Sequence, residues 1–268
     1  MEYFGGGIVN GSISLIGGRP GVGKSTLILQ MCEYISNNGK VLYVSGEESA
    51  VQVKLRGNRL KTKSKNILFL NETDIDTIES NLDDVIFLVI DSIQTMKDAS
   101  LSSSSGSISQ IKQVTDKLIT IAKGKNITTL VVGHVTKDGI IAGPKLLEHM
   151  VDTVIYIEGD DVSSTRIIRT VKNRFGSTNE IALFSLSDNG ISELNNNDEL
   201  FTTDSKLSGS AITCVSDGNL IFPIEIQSLT SHSYYNYPKR VTSSIDLNRL
   251  NMIVAVIEKL GNISLRNF

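Results

Sequence analysis

The chain has 268 residues, 40% of them apolar, with a formal charge of −3 and an isoelectric point near 5.7. That is enough apolar material for a full core, and the slightly acidic balance excludes nucleic-acid binding through bulk charge, so any such contact rests on local basic groups. No stretch approaches the ~20 apolar residues of a membrane span, the opening MEYFGGG is not a secretory signal, and a cytoplasmic location is expected.

After a glycine-rich approach with a turn at Asn10-Gly11, the alternation of Ile13, Leu15 and Ile16 predicts a buried strand. It runs into Gly18-Arg19-Pro20-Gly21-Val22-Gly23-Lys24-Ser25, which satisfies G-x-x-x-x-G-K-[ST], followed by Thr26 and an apolar helix to about Tyr34. Such a loop turns backbone N–H groups toward a triphosphate, Lys24 brings a point charge to the outer phosphates, and the Ser25 hydroxyl suits magnesium. The helix dipole aims at the same anion. The two cysteines, Cys32 in this helix and Cys214 in a later apolar strand, have no metal or disulfide spacing and are expected as buried small hydrophobes.

A second strand, Val41 to Ser45, ends in Gly46-Glu47-Glu48, which puts two carboxylates where open α/β sheets do their chemistry. Residues 50–65 read as a basic helical stretch and 71–84 as an acidic one, either solvated or forming a charge-matched contact between subunits. Val85 to Ile90 is a continuous apolar run ending in Asp91, the pattern of a central parallel strand whose acid holds magnesium through its water shell. Ser92 follows instead of a glutamate, so Glu47 is the expected water-activating base.

Residues 97–107, KDASLSSSSGS, are expected to be a mobile loop that does not pack, followed by a helix from Ile108 to Lys123 and a buried strand, Thr128 to Val132. At that strand's tip, His134 is either a γ-phosphate sensor or a structural residue. A glycine-rich loop, KDGIIAGPK, precedes a single helical turn at 146–150. Ser103, Ser104, Ser105, Lys137 and Lys145 on these two loops are the candidate DNA contacts, suited to phosphates and not to base sequence. Three alternating stretches, 151–158, 165–173 and 180–186, read as antiparallel strands, and Lys172 and Arg174 near a turn suggest a phosphate contact in a neighbouring subunit or a pairing with acids such as Glu180. Beyond Asp198 come a hairpin over 209–229, a loop with Tyr234, Tyr235 and Tyr237 suited to packing or to bases, and a helix over 246–260.

GGGIVNGSISLIGGRPGVGKST, VLYVSGEES, VIDSIQT, GHVTKDGIIAGPKLLEHMVDTVIY and KNRFGSTNEI together resemble the bacterial RadA (Sms) DNA-repair family, relatives of RecA. KNRFG at 172–176 is the most specific of these. The resemblance implies a RecA-type α/β ATPase core over 1–200, in which a mainly parallel sheet is flanked by helices, and the start of a Lon-protease-like domain over 205–268. It further implies ATP and Mg2+ as cofactors, hexameric rings, single-stranded and branched DNA, a recombinase such as RecA as partner, and branch migration. Catalytic roles then fall to Lys24, Glu47, Lys172 and Arg174, nucleotide contacts to residues 18–26, Asp91 and His134, and metal contacts to Ser25 and Asp91. No C-x-x-C pair is present, so the family's zinc site is not expected here, and the chain reads as a shortened member. A KaiC-like signalling ATPase, or a nucleotide-binding module without motor activity, is the alternative.

Overall fold

A computed structural model describes residues 7–134, 144–159, 163–178, 180–194, 208–235, 239–265 and 267–268, with the side chains of Pro144 and Lys145 excepted. Two compact units emerge, one of residues up to 197 together with 216–221, the other of 198–215 and 222–268.

The first unit is built on β1 (Ile13–Gly18), α1 (Lys24–Ile35), β2 (Lys40–Ser45), α2 (Ala50–Arg59), β3 (Ile67–Leu70), α3 (Ile75–Glu79), β4 (Val85–Asp91), α4 (Ile108–Lys125), β5 (Thr128–His134), α5 (Pro144–Met150), β6 (Thr153–Glu158), β7 (Thr165–Asn173), β8 (Ile181–Ser187) and β9 (Gly190–Glu193). They form one nine-stranded sheet in the order β3-β2-β4-β5-β1-β6-β7-β8-β9. Strands β1 to β6 pair in parallel and β7 to β9 antiparallel. Parallel strands covered on both faces read as near-continuous apolar runs, which explains Val85 to Ile90 in β4 and Leu130 to Val132 in β5. Leu88 and Ile90 pack with Ile75, Ile111 and Leu118 on one face, while Phe87 and Val89 pack with Ile28, Leu29 and Cys32 on the other. All the parallel strands therefore end on one edge, and β1, β2, β4 and β5 bring the phosphate loop, Glu47, Asp91 and His134 to it.

Four expectations need correction. The basic stretch is helical only to Arg59, and residues 67–70 form a parallel edge strand that their mixed composition conceals. The acidic stretch is not purely surface, because Ile75 and Ile78 of α3 are fully buried, and its acids pair with other elements, Asp76 with Lys117 and Asp84 with Lys40. The serine-rich loop does pack. Buried Gln110 accepts from the Asp98 N–H and donates to the carbonyls of Asp98, Leu101 and Ser103, while Lys117 lies 2.8 Å from buried Asp98. Finally, Cys32 is buried as expected but Cys214 is exposed.

The second unit holds a hairpin of β10 (Ser210–Asp217) and β11 (Leu220–Gln227) and a helix, α6 (Leu247–Gly261), capped by Asp246 accepting from the Arg249 N–H. The hairpin's turn, residues 216–221, belongs to the first unit. There Asn219 Oδ1 accepts from the Ile181 N–H and Asp217 makes a two-pronged pair with Arg169. No residue of α6 is buried. Tyr234 and Tyr235 are exposed, and Tyr237 lies outside the described residues.

Candidate nucleotide site

The phosphate loop follows β1 directly, and its glycines carry the backbone through conformations other residues resist. Gly21 has φ +80° and Gly23, the residue before α1, has φ +108°. With no side-chain cap and no acid in its first turn, α1 presents bare N–H groups to the loop, the arrangement that suits an anion. Arg166 of β7 braces the loop from behind by donating from Nε to the Val22 carbonyl at 3.0 Å.

Lys24 lies across the loop, its ammonium donating to the carbonyls of Gly18 at 2.8 Å and Arg19 at 2.9 Å. Burial pulls its pKa down to about 8, with the Asp91 and Glu47 carboxylates opposing the shift. Ser25 Oγ donates to Asp91 Oδ2 at 2.9 Å, and the Tyr43 hydroxyl donates to the same oxygen. Asp91 is itself buried at the end of β4. A buried carboxylate beside a hydroxyl and an ammonium, in front of an uncapped helix, fits magnesium triphosphate, with Ser25 and Asp91 toward the metal and Lys24 toward the phosphates.

The two neighbouring glutamates have different surroundings. Glu48 is clamped by Arg56 of α2 through two hydrogen bonds, of 2.7 and 2.5 Å. Glu47 points to the site instead, accepting from Ser92 Oγ at 2.5 Å. His134 Nε2 lies 3.2 Å from the same Glu47 oxygen without hydrogen-bond alignment, and neither ring nitrogen has a hydrogen-bond partner among the described residues. Gly46 lets the end of β2 lie close against Asp91 and Thr95. Its N–H donates to the Asp91 carbonyl at 3.0 Å, and an added Cβ would sit 2.2 Å from Thr95 Oγ1.

Lys172 and Arg174 are elsewhere. Gly18 pairs with Ile157 on β6, whereas Asn173 pairs with Thr153, so the two cations stand at the opposite sheet edge, about 13 Å away along the strands. Lys172 Nζ caps the end of α5, donating to the carbonyls of Glu148, His149 and Val151. Arg174 Nη1 pairs with Asp152 Oδ1 at 3.1 Å, and Asp152 in turn accepts from the Ile13 N–H. The acid that holds Arg174 is therefore Asp152 and not Glu180. Ser104 and Ser105 are exposed and Ser103 half-buried on the loop fixed by Gln110; Lys137 lies outside the described residues, as does the side chain of Lys145. Arg56, Ser92, Tyr43 and Arg166 surround the site through Glu48, Glu47, Asp91 and the Val22 carbonyl, pairings that the sequence reading did not identify.

The parallel sheet, its order and the loop–helix–carboxylate edge define a RecA-type P-loop ATPase core. The chain belongs to the family described as AAA domain, which matches residues 2–139. The resemblance to bacterial RadA holds over nearly the whole chain. It is 45% identical to the DNA repair protein RadA of Streptococcus pyogenes serotype M6 (strain ATCC BAA-946 / MGAS10394), over 99% of this chain and 60% of that protein. It is 46% identical to the DNA repair protein RadA of Bacillus subtilis (strain 168), over 99% of this chain and 59% of that protein. The chain thus spans about three fifths of the length of the curated relatives it matches. In fold it is similar to a crystal structure of the RadB recombinase, with a TM-score of 0.55 and 21% identity over 72% of this chain and 96% of that one.

Proposed function

We propose that this chain is a Mg-ATP hydrolase of the RadA type, stimulated by DNA and acting in recombination and repair by promoting branch migration. The observation that carries the reading is the gathering of Lys24, Ser25, Asp91 and Glu47 on one sheet edge with Lys172 and Arg174 on the other. Glu47 takes the proton of the attacking water, since its carboxylate is oriented by Ser92 whereas that of Glu48 is neutralised by Arg56. Bound magnesium would supply charge neutralisation between the phosphates. Lys24 and the N–H groups of α1 hold the triphosphate, and His134 adjoins the base at the strand tip where a γ-phosphate is sensed.

Lys172 and Arg174 are too far from their own chain's loop to serve it, which supports a site shared between subunits of a hexameric ring. Ser103 to Ser105, Lys137 and Lys145 would track the DNA backbone, giving single-strand preference without sequence readout. A recombinase such as RecA is the expected partner, the cytoplasm the expected compartment, and residues from 205 onward the start of a Lon-protease-like domain.

The test is phosphate release with and without single-stranded DNA, alongside Glu47→Gln. Stimulation by DNA that disappears in Glu47→Gln, with ATP binding retained, is the expected result. Hydrolysis indifferent to DNA would point to a signalling ATPase instead, and turnover surviving in Glu47→Gln would reject the assigned base.

A further inference from the structure

Tyr43 lies behind the Asp91 carboxylate and donates its hydroxyl to it. It is fully buried in β2, where its neighbours Leu42 and Val44 are plain aliphatics. In the β2–β4 register Tyr43 lies opposite Val89 and Ser45 opposite Asp91, so the phenol sits one strand over and two residues behind the carboxylate. Alternation places Tyr43 and Ser45 on one face, and the ring is long enough to bring its hydroxyl forward to Asp91. Phe69 of β3 flanks the ring, with centroids 5.9 Å apart.

Both Tyr43 and Ser25 donate to Oδ2 of Asp91, and Oδ1 takes no hydrogen bond from the described residues. Two donors on one oxygen restrain the carboxylate's torsion and leave the other oxygen available to a further partner. A phenol serving only to satisfy itself needs one acceptor of any kind; this one takes the carboxylate that faces the phosphate loop.

We propose that Tyr43 is a positioning residue for the metal, holding Asp91 by Oδ2 so that Oδ1 is presented to the water shell of nucleotide-bound magnesium. The proposal rests on the reading that Asp91 serves that metal. Partners behind a metal ligand typically change metal affinity about 10- to 100-fold when removed, and with Ser25 still in place the lower end is expected.

The experiment is a magnesium titration of ATP binding, followed by fluorescence of a labelled nucleotide on the full chain, with ATP binding in EDTA and the thermal midpoint measured in parallel. Tyr43→Phe keeps the ring and removes the hydroxyl. Its half-saturating magnesium concentration should rise about tenfold while ATP binding in EDTA is unchanged. Replacing Tyr43 by 3-fluorotyrosine, which keeps a hydroxyl on the same ring, should retain the parental magnesium constant. A Tyr43→Phe titration superimposed on the parent's, whatever its thermal midpoint, overturns the proposal, and so does an equal loss in the fluorotyrosine protein. Asp91→Asn separates the two layers. If it shifts the magnesium constant and Tyr43→Phe does not, only the positioning role fails; if Asp91→Asn shifts nothing, the metal reading itself is wrong.

Discussion

The two edges of the central sheet are built on different terms. At the edge where β1, β2, β4 and β5 end, functional groups hold one another: Ser25 and Tyr43 hold Asp91, and Ser92 holds Glu47. At the opposite edge the cations are held by structure, Lys172 by three carbonyls ending α5 and Arg174 by Asp152. The first edge is a candidate nucleotide site whose groups all come from one chain. The second is a pair of anchored charges about 13 Å from the phosphate loop along the strands, and the proposed function uses them only across a subunit boundary.

The largest effect that would break this comparison is at the second edge. A trans arginine acting as a finger is worth ~10³ to 10⁵ in rate, so Arg174→Ala should lose most ATPase while binding ATP normally. Mixing Arg174→Ala with Lys24→Ala subunits should restore activity, measured as phosphate release in a mixture shown to co-assemble. Absence of complementation would make Arg174 a structural partner of Asp152 and nothing more.

At the first edge, Glu47→Gln should lower turnover by ~10² to 10⁴, and Glu48→Gln far less, because Glu48 is already spent on Arg56. Single-turnover hydrolysis of the two variants sharpens the contrast, and the reverse order would exchange their roles.

The pH dependence of Lys24 comes next, and its two consequences have opposite signs. Its pKa of about 8 lies below the ordinary 10.5, so the charge that attracts the triphosphate is lost from the folded chain as pH rises through 8. Calorimetry should show ATP affinity weakening above about pH 8, by up to about tenfold per unit where only the charged form binds. The unfolded chain keeps that proton longer, so the same group makes folding more favourable as pH rises from about 8 toward 10.5. An affinity flat to pH 10 would show that Lys24 is not the charge the nucleotide sees.

A smaller effect concerns the packed serine loop. The Lys117 hydrogen bond, and then those of Ser100, keep the Asp98 carboxyl below the usual range. A depressed carboxyl adds stability above its unfolded value near 4 and loses it as pH falls, so Asp98→Asn should cost about 1.5–3 kcal/mol at neutral pH and less in acid. Denaturant melts at pH 7 and pH 3 read this directly. Identical losses at both would remove the charge from the explanation. The mildest perturbation is limited proteolysis, where the second unit, whose α6 buries no residue, should be cut before the core; uniform resistance across 208–268 would show an independently stable fold.

The sequence by itself determined the phosphate loop, the buried strand β4 and the alternating strand β7 to their ends, and the carboxylate pair after β2, because each is written in local chemistry: glycine where φ is positive, an unbroken apolar run where both faces are covered, alternation where one is. It also carried the RadA resemblance. What it left undecided was settled by contacts that form only in the folded chain. Glu47 and Glu48 are adjacent and chemically identical, and only Arg56 and Ser92 tell them apart. The serine-rich loop is polar enough to stay loose, yet Gln110 supplies hydrogen bonds that its composition does not announce. Strands β3 and β9 are four residues each, too short for a period to show, and exist because β2 and β8 offer them a ladder. Spacing places Lys172 and Arg174 together, but their distance from the phosphate loop follows from strand register, which arises only when the sheet has formed.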